Sequence, residues 1–324
     1  MTNSEKEVKK ILTKTKRWYQ TDDGGWFPKD GKDSEEFERL YVRLDKLVSG
    51  EKSCVLVPAL FEDFSYQHLV VSQYFKLYKD DDDLRREYFS KAALLGYLAG
   101  IMYHEKIGVS TTMYTYGRWI SQNLACGWDE HADAIADAMI ESINANNPPN
   151  SNARHNCIDT GSFISFAPWF ILELYERFSG KSFNREYADM PEDKKFYKAY
   201  QDTIDVWDTP DLELVDKHIY ILCDRHLDLI GVDMSDFEDF AVDGLCPYEI
   251  HTWLAYRQRS GLANPTEFTH PLMNQPHAEP IKGDRPLPIP KIDYIEPLLG
   301  LFSDCQSKSV FDARYLNPYK EEQS

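Results

Sequence analysis

Apolar residues recur along the chain at the three-to-four-residue spacing of helices, and the gaps between stripes carry helix starts and stops. Residues 5–18 read as a basic helical lead. Asp33 with Glu36 forms a capping box that opens a helix striped by Phe37, Leu40, Tyr41, Leu44, Leu47 and Val48 and closed by Gly50. A second stripe runs Leu60, Phe61, Phe64, His68, Val71 and Phe75, which makes His68 a hydrogen-bonded core histidine. After the acids Asp80 to Asp83 the pattern predicts a long helix over 84–106, then helices over 111–126 and 129–144. Asp129 and Glu130 suit the positive end of the last of these. An aromatic helix over 162–179 stops at Gly180. Pro191 and Pro210 stand where first helical residues belong, behind Asp189 and Thr209 as caps. The helix after Pro210 is striped by Val215, Ile219, Leu222, His226 and Leu229. Ser235 with Glu238 makes a further capping box, and Pro247 opens a helix that buries Ile250, Trp253 and Leu254 and ends at Gly261. Prolines 271, 276, 280, 286, 288 and 290 then hold the chain extended across the surface. No apolar–polar alternation bounded by hairpin turns occurs. The expected class is all-α: a bundle or array of about a dozen helices with an extended proline-rich C-terminal segment.

The segment 146–156, NNPPNSNARHN, has the composition of a linker. It divides the chain into an N-terminal helical domain, 1–145, and a C-terminal one, 157–324, unless it is a long surface loop within one unit. Charge changes the picture further. The 324 residues hold 54 acids against 36 bases, a net −18 spread along the chain. Such a surface disfavours nucleic acid and anionic membranes and favours a basic protein partner. The first residues lack the apolar run of a signal peptide, and no window has the length and apolarity of a membrane span. Six cysteines, at 54, 126, 157, 223, 246 and 305, never form C-x-x-C and read as free thiols of a reducing cytoplasm.

Searches for chemistry end without a complete motif. Cys223-x-x-His226 and Cys246-x4-His251 have zinc-ligand types and spacings, but Cys223 and His226 fall on the apolar side of a strong helix, so packing is their expected role. Glu-x-x-His pairs of di-metal bundles are absent, and His104-Glu105 lacks the second histidine of a zincin helix. The run Asp80 to Asp83 with Glu87, and Arg314-Tyr315, resemble the magnesium motif and Arg-Tyr pair of terpene cyclases. The second ligand set of those enzymes is missing, and Lys79, Arg85 and Arg86 flank the run as at a solvated helix start. No nucleophile elbow, Walker loop or G-x-G-x-x-G occurs. The reading therefore assigns no catalytic residue, no metal and no cofactor.

One stretch carries more. A helix ends in Ile230-Gly231-Val232-Asp233, an acidic elbow holds Phe237 and Phe240, and Cys246-Pro247-Tyr248-Glu249-Ile250 opens the next helix. This resembles the C-terminal region of the PoNi-like (PoNe-immunity) family of bacterial toxin-immunity proteins. The family's Gly-Tyr-Trp and Glu-x-Ala-Ala signature is replaced here by IYILCDRHLD. The resemblance implies a non-enzymatic cytoplasmic protein, monomer or homodimer, that neutralises a basic, nuclease-type toxin delivered by a neighbouring bacterium. Asp233, Asp236, Glu238, Asp239 and Asp243 would meet the toxin's cations, with Phe237, Phe240 or Tyr248 as an aromatic anchor. The other reading left open is a helical adaptor or scaffold.

Overall fold

The structure, a computed structural model, describes residues 2–20, 35–105, 111–145, 158–159, 166–187, 194–232, 237 and 242–306. The described chain is all-α. Eleven α-helices run α1 (Asn3–Gln20), α2 (Glu35–Val48), α3 (Val57–Tyr74), α4 (Asp82–Glu105), α5 (Met113–Cys126), α6 (Asp129–Ala145), α7 (Ala167–Ser179), α8 (Lys194–Ile204), α9 (Leu212–Leu229), α10 (Tyr248–Arg259) and α11 (Ile295–Gln306). The described strands are two residues each, Thr111–Thr112 and Ile158–Asp159, paired in parallel. The predicted caps at Asp33, Asp189, Ser235 and Glu238 lie outside the described residues. At α9 the start differs from expectation. Asp211 Oδ1 accepts from the backbone N–H groups of Glu213 (3.0 Å) and Leu214 (3.2 Å), so this carboxylate, not Pro210, begins the helix.

The centre of the protein is α4. Residues 92–103 are buried without a break, as expected of a helix with neighbours on all sides. Its main partner is α3, whose Leu60, Phe61 and Phe64 are fully buried. On another side Gly96 and Gly100, one turn apart, let the indole of Trp119 from α5 lie directly on the α4 backbone. Asn123 ties the same helices, donating to Ala93 O at 3.1 Å and Trp119 O at 2.9 Å. The expected linker 146–156 lies outside the described residues, and helices on both sides of it share one hydrophobic core running from Val8 to Phe302.

Asp80 to Asp83 are committed to structure. Asp80 takes a left-handed conformation (φ 47°) behind a π-helical turn, Phe75–Lys79. Asp81 Oδ1 caps α4 through Asp83 N and Leu84 N, and Asp83 pairs with Arg86 at 2.6 Å. Asp82 accepts from Lys282 (2.8 Å) and Lys76 (3.1 Å), which hold its carboxyl below the usual range. Each acid of the run thus has a partner within the chain, lysines for Asp80 and Asp82, backbone N–H groups for Asp81 and Arg86 for Asp83, and Arg314-Tyr315 lies outside the described residues. These contacts also fasten the proline-rich segment, which has no α-helix but is not extended throughout as expected: it holds turns at 271–274 and a 3-10 helix, Pro276–Ala278, because proline suits the start of a short helical turn. Glu279 pairs with the buried Lys76 at 2.8 Å, its backbone oxygen accepts from Arg85, and Leu287 exchanges backbone and indole hydrogen bonds with Cys126 and Trp128. Gly127 turns the chain there at φ 75°, and a Cβ would meet Arg285 Cβ at 3.0 Å and Pro286 Cα at 3.1 Å. Both the conformation and the close approach call for glycine.

Cys126, Cys223 and Cys246 are free, but Cys54 is disulfide-bonded, which corrects the reading of six free thiols. Cysteine count and spacing report no distances, so a lone cysteine ahead of α3 carried no sign of its partner.

Six imidazoles are buried among the described residues, three of them His68 (6% exposed), His131 (2%) and His277 (3%). Burial holds His68 and His277 down to about 3 and His131 to about 4, with nearby cations adding to the effect at the first two. In the unfolded chain each titrates near 6.5. Above that pH neither state is protonated and the groups are neutral to stability. As pH falls below 6.5, only the unfolded chain gains protons, so stability drops by up to about 1.4 kcal/mol per pH unit for each histidine. Urea midpoints should therefore fall from pH 7 to pH 5. Unchanged midpoints would mean that protons reach these rings in the native state.

Candidate functional site

The elbow between α9 and α10 is built from the inside. Val215, Ile219, Leu222, Cys223, His226 and Leu229 of α9 are all buried, following the predicted stripe. Beyond α9, Gly231 (φ 69°) donates its N–H to Phe237 O at 2.9 Å, which closes the elbow on itself. Phe237 is driven inward. Its ring is fully buried, 3.8 Å from the His226 imidazole and 5.7 Å from Tyr248 between centroids.

Around it lies a buried polar network. His226 Nε2 is 3.2 Å from the backbone oxygen of Asp243, and Nδ1 is 2.9 Å from Glu249 Oε1. A carbonyl only accepts, so Nε2 carries a proton, and a second proton must lie between Nδ1 and the carboxyl. An imidazole and a carboxyl sharing a proton is an arrangement used in catalysis. Here both side chains are 0% exposed and Glu249 Oε2 is buried with no partner among the described residues. Substrate has no way to reach them, so the pair acts as a tie between α9 and α10. Next to it, Tyr114 donates its hydroxyl proton to Asp243 Oδ2 and accepts from Arg118 at 2.9 Å. Ser121 of α5 donates to Tyr248 O at 3.0 Å, and Gln73 of α3 donates to Val242 O at 2.9 Å. The elbow's exit is thus bound to three helices.

These positions correct part of the predicted binding face. Phe237 (0%), Asp243 (2%) and Tyr248 (4%) are core residues without surface to offer a partner. Asp233, Asp236, Glu238, Asp239 and Phe240 lie outside the described residues. The flanking acids make Phe237 look like part of a surface patch, but one aromatic in a polar loop is also what plugs that loop onto a core. Glu249 was missed as the partner of His226 because 23 residues separate them and no local period connects them.

The four candidate zinc ligands do not converge. Cys223 and His226 are buried in α9, Cys246 and His251 are half-buried, and both nitrogens of His226 are already engaged. Burial raises both thiols above the usual cysteine range. Among the described residues no three histidine, cysteine or acidic side chains are grouped to hold a metal ion.

Charge is distributed unevenly between inside and outside. The buried charged residues are Lys76, Arg85, Arg118 and Arg257 against Glu173, Asp243 and Glu249. Arg257 is wholly enclosed, donating to Trp207 O, Ala263 O and Asn264 Oδ1 instead of serving the surface. Among the described residues, four buried cations against three buried acids leave the interior near balance, so the acidic excess of those residues is carried on the outside. Asp205, Asp208, Asp211 and Glu213, at the corner from α8 to α9, are all exposed. No described helix is long and apolar enough to cross a membrane.

The chain matches no protein-family model, no curated protein and no solved structure.

Proposed function

We propose that this chain is a non-enzymatic binding protein of the immunity type, which neutralises a basic antibacterial toxin by covering it. The observation that carries the reading is the charge distribution of the described residues: a nearly balanced interior beneath a surface with their acidic excess. A nuclease-type toxin presents a cationic groove to nucleic acid. An acidic inhibitor gains from it by fast, salt-sensitive association, reaching about 10⁸–10⁹ M⁻¹s⁻¹ at low salt. The resemblance of the elbow to PoNi-like proteins supports the same class. The reading needs no cofactor and takes the protein as monomer or homodimer. It also places the protein in the cytoplasm with its target; the Cys54 disulfide pulls against this, since reducing pools keep thiols open.

The test is to express the product of the adjacent gene with and without this chain. Toxicity relieved by the wild type, through a complex whose association slows as salt rises, is the expected result. Replacing Asp236 and Asp239 with Asn should slow association several-fold, while Asp205→Asn with Asp208→Asn, at the remote corner, should change it less. Equal effects would remove the elbow as the contact. No rescue by the wild type would overturn the immunity reading and leave the adaptor.

A further inference from the structure

A cleft of about 530 Å³ opens between α2, α3, α4 and the segment leading into α11, far in sequence from the elbow. That volume is within the range of small-molecule sites. Its aromatic wall is continuous: Tyr294 stacks on the buried Phe64 at 4.6 Å, and Tyr41 meets both rings edge-on at 5.5 and 6.2 Å. Tyr41 remains 47% exposed, unusual for so large a ring packed against a core.

Two polar atoms here are left without partners. His68 lines the cleft, and its Nδ1 is buried with no hydrogen-bond partner among the described residues, contrary to the hydrogen-bonded core histidine read from the stripe. The Tyr294 hydroxyl is in the same condition. Stranded groups of this kind are costly and uncommon in native proteins. Burial, helped by the Lys91 charge, keeps the His68 ring neutral. Lys91 reaches the cleft held by Glu87 at 2.6 Å, and Lys291 enters from the opposite wall with no ion-pair partner among the described residues. Asp45 and Asp293 complete the lining; both are exposed.

We propose that this cleft binds a planar aromatic carboxylate of one or two rings, its face on the exposed Tyr41, its edge toward Tyr294, whose plane stands at 80° to that of Tyr41, and its carboxylate on Lys291. His68 supplies a neutral polar edge beside the ring, and Lys91, already neutralised by Glu87, contributes less to the anion than Lys291 does. The site is independent of toxin binding and does not rest on it.

The full chain, carrying ring-labelled histidine and tyrosine, is titrated with indole-3-carboxylate and, separately, with the neutral indole-3-carboxamide. His68 and Tyr294 resonances should move saturably with the carboxylate, with Kd about 1 mM or tighter, and at least tenfold more weakly with the amide. Lys291→Met and Tyr41→Ala alter exposed side chains, so the helical spectrum of each should match the wild type. Lys291→Met should abolish the preference for carboxylate over amide, and Tyr41→Ala should weaken both probes tenfold. Failure of the carboxylate probe to saturate these resonances overturns the site. Equal binding of the two probes, or a preference untouched by Lys291→Met, overturns the anion assignment.

Discussion

Replacing His226 with alanine is expected to lower folding stability by about 3–5 kcal/mol, one of the largest effects available at any single position. Three losses coincide. Glu249 keeps a buried carboxyl with no partner among the described residues for either oxygen, the Asp243 carbonyl loses one of its two donors and keeps the Cys246 N–H, and Phe237 loses the ring it packs on at 3.8 Å. The urea midpoint should fall while the denaturant slope stays constant, because the surface exposed on unfolding hardly changes. The double variant His226→Leu with Glu249→Leu removes both halves of the pair and restores apolar volume. It should recover most of the loss, since buried ion pairs are often replaceable by well-packed hydrophobic residues. A His226→Ala variant within about 1 kcal/mol of wild type would mean that the network contributes little to the fold.

Gly96→Ala should destabilise by about 3 kcal/mol or more, against the usual rule. In an exposed helix interior that change stabilises by about 0.5–1 kcal/mol. At Gly96 the added Cβ would lie 2.2 Å from Trp119 Cδ1 and 2.6 Å from its Nε1. The indole is fully buried and cannot swing away without moving α5. Gly300 in α11 is the matched control: among the described residues no atom outside its own helix turn lies within 4 Å of the place an added methyl would take, and Gly300→Ala should stabilise by the ordinary amount. The opposite signs of two identical substitutions would be read from thermal or urea unfolding. Equal effects would contradict the packing of α4 against α5.

The helices were legible because each buries a stripe with a local period. Val215, Ile219, Leu222, His226 and Leu229 appear on paper in the order in which they face the core. The lack of α-helix across prolines 271–290 was legible for a different reason, since proline removes the donors a helix needs, but its turns and the 3-10 helix Pro276–Ala278 were not. The site was far less readable. Phe237, Asp243 and Tyr248 sit among acids in sequence, and charge in neighbouring residues says nothing about which way one side chain turns. The His226–Glu249 tie and the Tyr114–Asp243 contact join residues 23 and 129 positions apart, beyond any periodic signal. Pro210 misled because the next residue, Asp211, takes the Glu213 and Leu214 N–H groups on its own carboxylate, so the helix begins after Asp211 and not at the proline. Trp119 against Gly96 was equally invisible, since it depends on how two helices cross.

The clasp of the proline-rich segment on α4 and α5 has a consequence for how the protein comes into being. Lys76 meets Glu279, Cys126 meets Leu287, and Ser4 donates to Asp224 across 220 positions. Contacts between such distant parts cannot form while the later part is still in the ribosome. The nascent chain must carry the apolar faces of α3 to α5 without their cover until residues near 290 emerge. At about 5–20 residues per second of synthesis, that leaves the first helices waiting on the order of ten seconds or more. During this interval the surface later sealed by the clasp is open to chaperones and to misassociation, and completion of the fold is timed by translation.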